Sequence, residues 1–205
     1  MKRKVIRQKK GGYDIIVIDD YLSEPNFKNV NSHINDFSYP CWKLSKRLVL
    51  DAKHENQFQL MFRMVENKTE LFSDSGYLSS IVMDPYVKQL RYDGYRGLNV
   101  SVLRARANCF IRYRSFPLSL FGRGMGYHED MDDENIFTLL LYLEDSNGRT
   151  QFKDNGRKIK SKRNRAIIFP ARVEHQTVMQ TNTLFRMNIN INFAVLPNGM
   201  EMVAV

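Results

Sequence analysis

Cysteine is scarce in this chain. Its two cysteines, Cys41 and Cys109, are too few to build a disulfide framework. Disulfides accumulate in proteins of oxidising compartments, where small secreted domains depend on them for stability. We therefore predict that both thiols are reduced and buried, and we expect the chain to work in the cytoplasm.

Long apolar runs are also missing. The longest, at about Ile136–Leu143, is predicted to be a buried strand, because a membrane-spanning helix needs roughly 20 apolar residues. The basic segment Met1–Lys10 has no apolar centre, which excludes an ordinary secretory signal. We predict no membrane contact, and a lightly ordered basic arm over residues 1–12.

The overall composition is that of a globular protein. The chain has 205 residues, of which 43% are hydrophobic and 26% charged, and this length suits one domain with a sizeable core. No internal repeat or low-complexity tract divides the sequence. We predict a single domain over residues 1–205, with a helical supporting part over 13–98 and a strand-rich core over 99–195.

Acidic residues are outnumbered by basic ones. The chain has 31 Lys and Arg against 22 Asp and Glu, a formal net charge of +9. Many of the basic residues fall in three clusters: Lys2, Arg3, Lys4, Arg7, Lys9 and Lys10; Arg104, Arg106, Arg112 and Arg114; and Lys153, Arg157, Lys158, Lys160, Lys162, Arg163 and Arg165. A surface that binds polyanions is one interpretation. Ordinary solvated loops are the other, and no nucleic-acid-binding motif accompanies the clusters.

Helical signals occupy the first half of the chain. Ser23 is a predicted N-cap, with Pro25 in the first turn of a helix that ends near Phe37. A second helix is predicted over about 54–72, where apolar residues recur on one helical face, and a third within 79–92. Helices that precede a strand-rich half indicate an α+β, mainly β protein in which the helices pack on one sheet.

The clearest strand signal lies at 184–195. Apolar residues occupy the odd positions Phe185, Met187, Ile189, Ile191, Phe193 and Val195, and polar residues occupy the even positions Arg186, Asn188, Asn190 and Asn192. Strict alternation over this length predicts a strand with two different faces. A solvated face would normally carry Lys, Glu or Thr, so the row of asparagines favours a polar face turned into the mouth of a barrel.

Histidine is also scarce, and two of the four histidines indicate a metal site. Of the four histidines, His128 stands two residues before Asp130, and residues i and i+2 of a strand point to the same face. His175, from a later strand, would complete two imidazoles and one carboxylate, a set that suits non-haem Fe(II) and leaves open positions. A polar turn without a metal is the alternative. His33 and His54 fall in the helical part and are interpreted as structural or surface residues.

These residues together resemble a known family. His128-x-Asp130, then His175, then Arg186 eleven residues later, resemble the Fe(II)/2-oxoglutarate-dependent dioxygenases. Four segments are similar to its prolyl-4-hydroxylase-like branch, which has small members in phages and bacteria: L-R-A-R-A-N-C-F at 103–110, G-x-T-x-F at 148–152, R-A-I-I-F-P at 165–170 and R-M-N-I-N-I-N-F at 186–193. The resemblance covers roughly residues 99–195. It implies a double-stranded β-helix, a jelly roll of two packed antiparallel sheets.

The resemblance also implies a cofactor set. His128, Asp130 and His175 would bind Fe(II), and Arg186 would pair with the far carboxylate of 2-oxoglutarate through its planar fork of donors. Further candidates for contacts to 2-oxoglutarate are Tyr142, Asn188, Thr138 and Tyr113. Tyr113 is included because Phe110, which cannot donate a hydrogen bond, stands where the family often has a tyrosine. O2 would be the oxidant, succinate and CO2 the coproducts, and ascorbate a supporting reductant.

The substrate is less sharply indicated. The prolyl-4-hydroxylase-like motifs favour hydroxylation of a protein or peptide side chain. The same chemistry on a nucleic acid or a small molecule is the alternative, because R-x-N-x-N at 186–190 resembles the R-x-N-x-T of nucleic-acid demethylases and the chain is basic. A metal-free jelly-roll binding protein is a third interpretation. The intact set of His128, Asp130, His175 and Arg186 argues against it.

Overall fold

The computed structural model describes residues 2–6, 13–36, 42–45, 59–70, 75–95, 97–112, 124–154 and 156–197. The strands in these ranges are β1 (Lys2–Ile6), β2 (Ile15–Asp19), β3 (Trp42–Ser45), β4 (Gln59–Glu66), β5 (Thr69–Glu70), β6 (Leu98–Ile111), β7 (Ile136–Tyr142), β8 (Arg149–Phe152), β9 (Lys158–Lys160), β10 (Arg165–Pro170), β11 (His175–Val178) and β12 (Phe185–Pro197). The helices are α1 (Glu24–Asn35) and α2 (Ser75–Tyr92). Across the same ranges, no helix has the length and apolarity that a membrane span requires.

Two antiparallel sheets form the body of the protein. The larger has the strand order β1-β2-β10-β7-β12-β6-β4-β3, with β5 also paired to β4, and the smaller has the order β11-β8-β9. Isolated bridges join Gly124 to Val178 and His128 to His175, so the segment 124–130 runs along the free edge of β11. This arrangement is the double-stranded β-helix that the sequence predicts.

The two faces of β12 are both buried, and they differ in chemistry. Met187, Ile189, Ile191 and Phe193 belong to the main apolar cluster, on the outer side of the large sheet. The even positions beginning with Arg186 therefore point between the two sheets, since side chains alternate along a strand. The predicted alternation is confirmed, and its polar face lies inside the barrel.

The two helices cover the outer side of the large sheet, as predicted. Apolar residues of α1 (Phe27, Val30, Ile34) and of α2 (Leu78, Val82, Met83) join the same cluster as β12. Ser23 caps α1, because its hydroxyl accepts a hydrogen bond from the backbone N–H of Asn26. The hydroxyl of Tyr21 donates to the carbonyl of Val82 at 2.8 Å and thereby ties the start of α1 to α2.

The helix predicted over 54–72 is wrong. Residues 59–66 form β4, which pairs with β6 through a register shift between Arg63 and Val65. In this segment Phe62 and Met64 are buried while Arg63 is exposed, which is a period of two. Over so short a run, helical and strand periods are hard to separate, and pairing with β6 decides the outcome. Residues 54–58 and 71–72 lie outside the described residues.

The lightly ordered arm predicted over residues 1–12 is corrected in part. Residues 2–6 form β1, which pairs along its whole length with β2 at the edge of the large sheet. Backbone hydrogen bonds to β2 are available whatever the side chains, so a basic segment can occupy an edge strand. Residues 7–12 lie outside the described residues. Cys109 is free and buried, as predicted, and Cys41 also lies outside them.

Asn164 fastens the loop before α1 to the barrel. Its side chain accepts from the backbone N of Leu22 at 2.9 Å and donates to the carbonyl of Leu22 at 2.8 Å. Its own φ is +57°, in the left-handed region, which asparagine tolerates better than most residues. The single side chain therefore satisfies two buried backbone groups in a conformation that suits it.

We predict that Asn164→Ala lowers the free energy of unfolding by about 2–4 kcal/mol, because two buried backbone groups lose their partners and alanine is strained at positive φ. Chemical denaturation of the purified protein measures this. Asn164→Asp keeps the acceptor but loses the donor, so an intermediate loss is expected. An alanine variant as stable as the wild type would contradict this role.

Candidate metal centre

Backbone pairing brings the two candidate histidine ligands together. The N–H of His128 donates to the carbonyl of His175, and the N–H of His175 donates to the carbonyl of His128, both at 3.0 Å. The two ring centroids are consequently 4.6 Å apart. Asp130 follows two residues after His128, and its N–H is anchored on the carbonyl of Ala171. One potential ligand atom from each of the three side chains lies within 4.8 Å of the others.

Both imidazoles are oriented by backbone carbonyls. The Nδ1 of His175 lies 2.9 Å from the carbonyl of Val173, and that of His128 lies 3.4 Å from the carbonyl of Gly126. A ring that donates through Nδ1 keeps its lone pair on Nε2, and metal-binding histidines use this arrangement. Burial, with help from the neighbouring His175, lowers the pKa of His128 and so favours the neutral ring that binds metal.

Asp130 is buried and surrounded by donors. Its Oδ2 accepts from the hydroxyl of Thr138 at 2.8 Å, its Oδ1 accepts from Arg104 Nη2 at 3.2 Å, and the amide of Asn190 reaches both oxygens. Burial alone would raise the pKa of this carboxyl. Electrostatic interactions with His175, His128 and Arg104 and the hydrogen bond from the Thr138 hydroxyl outweigh burial and lower the pKa to about 2. The carboxylate is therefore ionised whenever a metal would bind.

A second ring of contacts holds these donors in place. The carbonyl oxygen of the Asn192 side chain accepts from Arg104 Nε at 2.8 Å, and its amide donates to the Thr138 hydroxyl at 2.8 Å. Thr138, a sequence-based candidate for contact with 2-oxoglutarate, is thus placed against Asp130. Its position supports orientation of the carboxylate, since outer partners of this kind fix metal ligands.

Arg186 is fully buried and makes no hydrogen bond or salt bridge with the described residues. Its relative exposure is 0%, and Nε, Nη1 and Nη2 find no hydrogen-bond partner among the described residues. The guanidinium lies 4.8 Å from the centroid of the Phe110 ring. Burial lowers the pKa of Arg186 to about 10, against the opposing influence of Tyr142 and Glu144. A buried guanidinium without a hydrogen-bonded partner favours binding of an anion, because an unpaired charge in the protein interior costs free energy.

Gly148 makes room for this guanidinium. A Cβ at that position would lie 2.8 Å from Cδ and 2.9 Å from Nη1 of Arg186.

Tyr142, a further candidate, is fully buried on the adjacent strand, and its hydroxyl donates to Thr150 at 2.7 Å. Asn188, opposite Tyr142 in the β12–β7 register, accepts from the amide of Asn108 at 3.0 Å.

A cavity of about 370 Å³ lies beside the three candidate metal ligands and reaches residues that contact Arg186. Its walls include His128, Asp130 and His175, together with Phe110, on whose ring Arg186 lies, and Asn188. The volume falls in the range of small-molecule sites, which is about 300–1,000 Å³. Tyr113 lies outside the described residues, so its predicted role stays a prediction.

Sequence reasoning missed several residues of this site. Arg104, Asn190 and Asn192 hold Asp130 or its partners, Arg106 lines the cavity, and Gly148 lies against Arg186. The alternation of R-A-R-A at 104–107 and the row of asparagines in β12 were the available signals. Neither signal identifies a partner, because each contact joins strands that are distant along the chain.

Comparison with known proteins adds information about the fold. No protein-family model matches the chain, and no curated protein sequence matches it. Among solved structures, a 2OG-Fe(II) oxygenase family oxidoreductase from Burkholderia pseudomallei superposes with a TM-score of 0.66 at 10% identity, over 92% of this chain and 93% of that one. At this identity the similarity shows a shared fold, that of the 2OG-Fe(II) oxygenases.

Two prolyl hydroxylases are also similar in structure. The viral collagen prolyl hydroxylase of Paramecium bursaria chlorella virus 1, in its 2OG complex, gives a TM-score of 0.53 at 16% identity over 89% of this chain and 96% of that one. A Trichoplax adhaerens prolyl hydroxylase, in complex with a hypoxia inducible factor peptide fragment, gives 0.57 at 15% identity over 89% and 83%. The resemblance found in the sequence is confirmed at the level of the fold.

We predict that His128→Ala, Asp130→Ala and His175→Ala each weaken binding of Mn²⁺, a divalent ion that carboxylate and imidazole ligands accept, by more than about 100-fold. Thr138→Val should cost roughly 10–100-fold, the usual effect of removing an outer partner. Isothermal titration calorimetry measures both effects. His33→Ala on α1 is the matched control and should bind as the wild type does. Unchanged affinity in His175→Ala would remove this residue from the site.

Proposed function

We propose that this protein is an Fe(II)- and 2-oxoglutarate-dependent dioxygenase that hydroxylates a protein or peptide side chain, with release of succinate and CO2. The observation that carries the proposal is the pairing of two groups in one barrel. A cluster of two imidazoles and a carboxylate lies on one wall of a cavity, and the buried, unpaired guanidinium of Arg186 lies behind another.

The donor set fits iron. Two imidazoles and one ionised carboxylate suit Fe(II) and leave open positions for further ligands. His128 and His175 would offer Nε2, since Nδ1 of each ring faces a backbone carbonyl. Asp130 would offer an oxygen without first losing a proton, because its pKa is about 2.

The surroundings of Arg186 fit the far carboxylate of 2-oxoglutarate. All three guanidinium nitrogens are free of partners among the described residues, so a carboxylate could take two parallel hydrogen bonds. Tyr142 and Thr150 place two hydroxyls nearby, already joined to each other. Asn188 offers a further amide on the same face of β12. A dicarboxylic acid with one end on the metal and one end on Arg186 accounts for both features of the site.

Each side chain then has a defined task. When bound, the metal would activate O2, which takes two electrons from the oxidative decarboxylation of 2-oxoglutarate and two from the C–H bond that is hydroxylated. Arg186 binds and orients the cosubstrate, and Phe110 and Gly148 fix the guanidinium. Thr138 and Arg104 hold the Asp130 carboxylate in one orientation. Arg186 and Asp130 are themselves withdrawn from water, which strengthens the electrostatic contacts that they make.

A peptide substrate is favoured by the surroundings of the cavity. Asn108, Asn188 and Asn190 line it with amides, which can donate to and accept from peptide groups. One of the similar structures is a prolyl hydroxylase in complex with a peptide fragment. The direct test is O2-dependent conversion of 2-oxoglutarate to succinate by the Fe(II)-loaded protein. Its absence in a folded protein that binds both cofactors, with peptides supplied, would reject the proposed reaction.

We predict that Arg186→Met weakens 2-oxoglutarate binding by about tenfold to a few hundredfold, since a shielded charge-assisted pair contributes roughly 1.5–3 kcal/mol and each decade of affinity is about 1.4 kcal/mol. Arg186→Lys should be intermediate, because an ammonium pairs but cannot fork. Mn²⁺ affinity should change little in either variant. Calorimetric titration of the Mn²⁺-loaded protein with 2-oxoglutarate measures these effects.

Stability supplies an independent check on the same residue. Removing a buried charge that has no hydrogen-bonded partner among the described residues should leave Arg186→Met at least as stable as the wild type when 2-oxoglutarate is absent. Added 2-oxoglutarate should raise the melting temperature of the wild type more than that of the variant. Equal affinity in Arg186→Met would exclude this residue as the carboxylate partner. Arg165 and Arg172 would then be tested, although Arg165 already pairs with Asp19 at 2.6 Å.

A further inference from the structure

The inner face of the large sheet continues past the proposed cofactor site onto β6 and β4. Partners in register share a face of the sheet, so Asn190, Arg106 and Arg63 form one row across β12, β6 and β4. Met61, one rung along, lines the cavity, and Lys43 of β3 lies opposite Met61. We call this surface, made of Lys43, Met61, Arg63, Arg104, Arg106 and Asn190, the basic wall.

The basic wall keeps a surplus of positive charge when the proposed cofactors are bound. The charges of Fe(II) and 2-oxoglutarate are equal and opposite, and so are those of Asp130 and Arg186. These four groups therefore add no net charge to the site. Of the four cations of the basic wall, Arg104 pairs with Asp130 and Arg106 pairs with Glu66, and both line the cavity. Arg63 and Lys43 continue the positive charge along β4 and β3, away from the metal ligands.

Arg106 is a residue of the basic wall whose guanidinium has donors that Glu66 does not engage. One of its nitrogens, Nη2, makes both contacts to Glu66, at 3.1 and 3.2 Å. Its Nε is buried and has no partner among the described residues. Burial and the neighbouring charges of Arg104 and Arg63 lower the pKa of Arg106, against the influence of Glu66. Guanidinium offers five donors in a planar fork, and Glu66 engages one corner of it.

We propose that Arg106 is a specificity residue that binds an acidic side chain of the peptide substrate, close in sequence to the residue that is hydroxylated. The proposal rests on the proposed function and names the class of peptide that it takes. The donors that Glu66 leaves free can pair with a substrate carboxylate through charge-assisted hydrogen bonds. Glu66 itself engages Nη2 and competes for the same guanidinium.

A peptide fits this surface better than a nucleic acid does. Single-stranded nucleic acids bind through aromatic side chains on which bases stack. Among the cavity-lining residues that the structure describes, Phe110 is the aromatic residue besides the two candidate histidine ligands, and the guanidinium of Arg186 covers it. Asn190 instead presents a buried side-chain oxygen without a partner in the described part of the chain, which suits a peptide N–H.

The test is a binding screen with the full chain, loaded with Mn²⁺ and 2-oxoglutarate without oxygen, on an array of short, capped, randomised peptides. Wild-type protein should bind peptides with Asp or Glu about tenfold more tightly than their Asn or Gln counterparts, because one charge-assisted pair contributes that much affinity. Arg106→Gln should abolish the preference, and Arg106→Lys should keep part of it. Glu66→Gln should strengthen the preference, because the competing carboxylate is gone.

A matched control exists elsewhere in the chain. Arg163 pairs with Glu24 at 2.8 Å on the surface, so Arg163→Gln removes an Arg–Glu pair outside the cavity and should leave the preference unchanged. Phosphoserine peptides on the same array show whether the anionic group that binds is a phosphoryl group or a carboxylate. Tighter binding of phosphoserine than of Asp or Glu, lost in Arg106→Gln, would assign the subsite to a phosphoryl group, and the reverse order would assign it to a carboxylate.

Three results would overturn the inference: no acidic preference in the wild type, a preference that survives in Arg106→Gln, or Arg106-dependent binding of a single-stranded oligonucleotide while acidic peptides do not bind. The last would also show a steep dependence on salt. Mn²⁺ and 2-oxoglutarate affinities are measured on the same samples. Normal affinities without the acidic preference reject this inference alone, whereas loss of both affinities in folded protein rejects the proposed function.

Discussion

The structure depends on a positive charge that is buried without a hydrogen-bonded partner in the described part of the chain. Arg186 is withdrawn from water and has no partner among the described residues. Several kcal/mol are needed to keep such a group in place. The surrounding barrel meets this cost through packing, with the face of Phe110 on one side and the bare backbone of Gly148 on the other. A ligand that brings a carboxylate to this point recovers much of that free energy, so the cost of burying Arg186 adds to the affinity for a carboxylate.

The same strand joins this charge to the rest of the protein. One face of β12 packs under the two helices in the largest apolar cluster, and the opposite face carries Arg186 and three asparagines into the barrel. A register slip of one residue would bury the amides under the helices and expose the apolar residues to the cavity. The apolar face thus fixes the register, and the register places Asn190 and Asn192 where they hold Asp130 and its partners.

Local pattern was sufficient to predict the features that one segment contains. The alternation at 184–195 predicted β12, and the spacing of His128 and Asp130 predicted that these two side chains converge. His175, from a distant strand, was added as the ligand that would complete the set. Local pattern failed where a distant partner decides the structure. Residues 59–66 satisfy both helical and strand periods, and pairing with β6 makes them a strand. Contacts of Thr138 and Arg104 with Asp130 cross between strands, so no spacing along the chain could indicate them.

The central claim is that one cavity holds Fe(II) and 2-oxoglutarate together. Anaerobic titration of the Fe(II)-loaded protein with 2-oxoglutarate tests it most directly, because the cosubstrate gives a weak visible charge-transfer band when it chelates the iron. The account predicts a band that saturates with 2-oxoglutarate and is absent when either component is omitted. A folded protein that gives no band, or an equally intense band in Asp130→Ala, would contradict it.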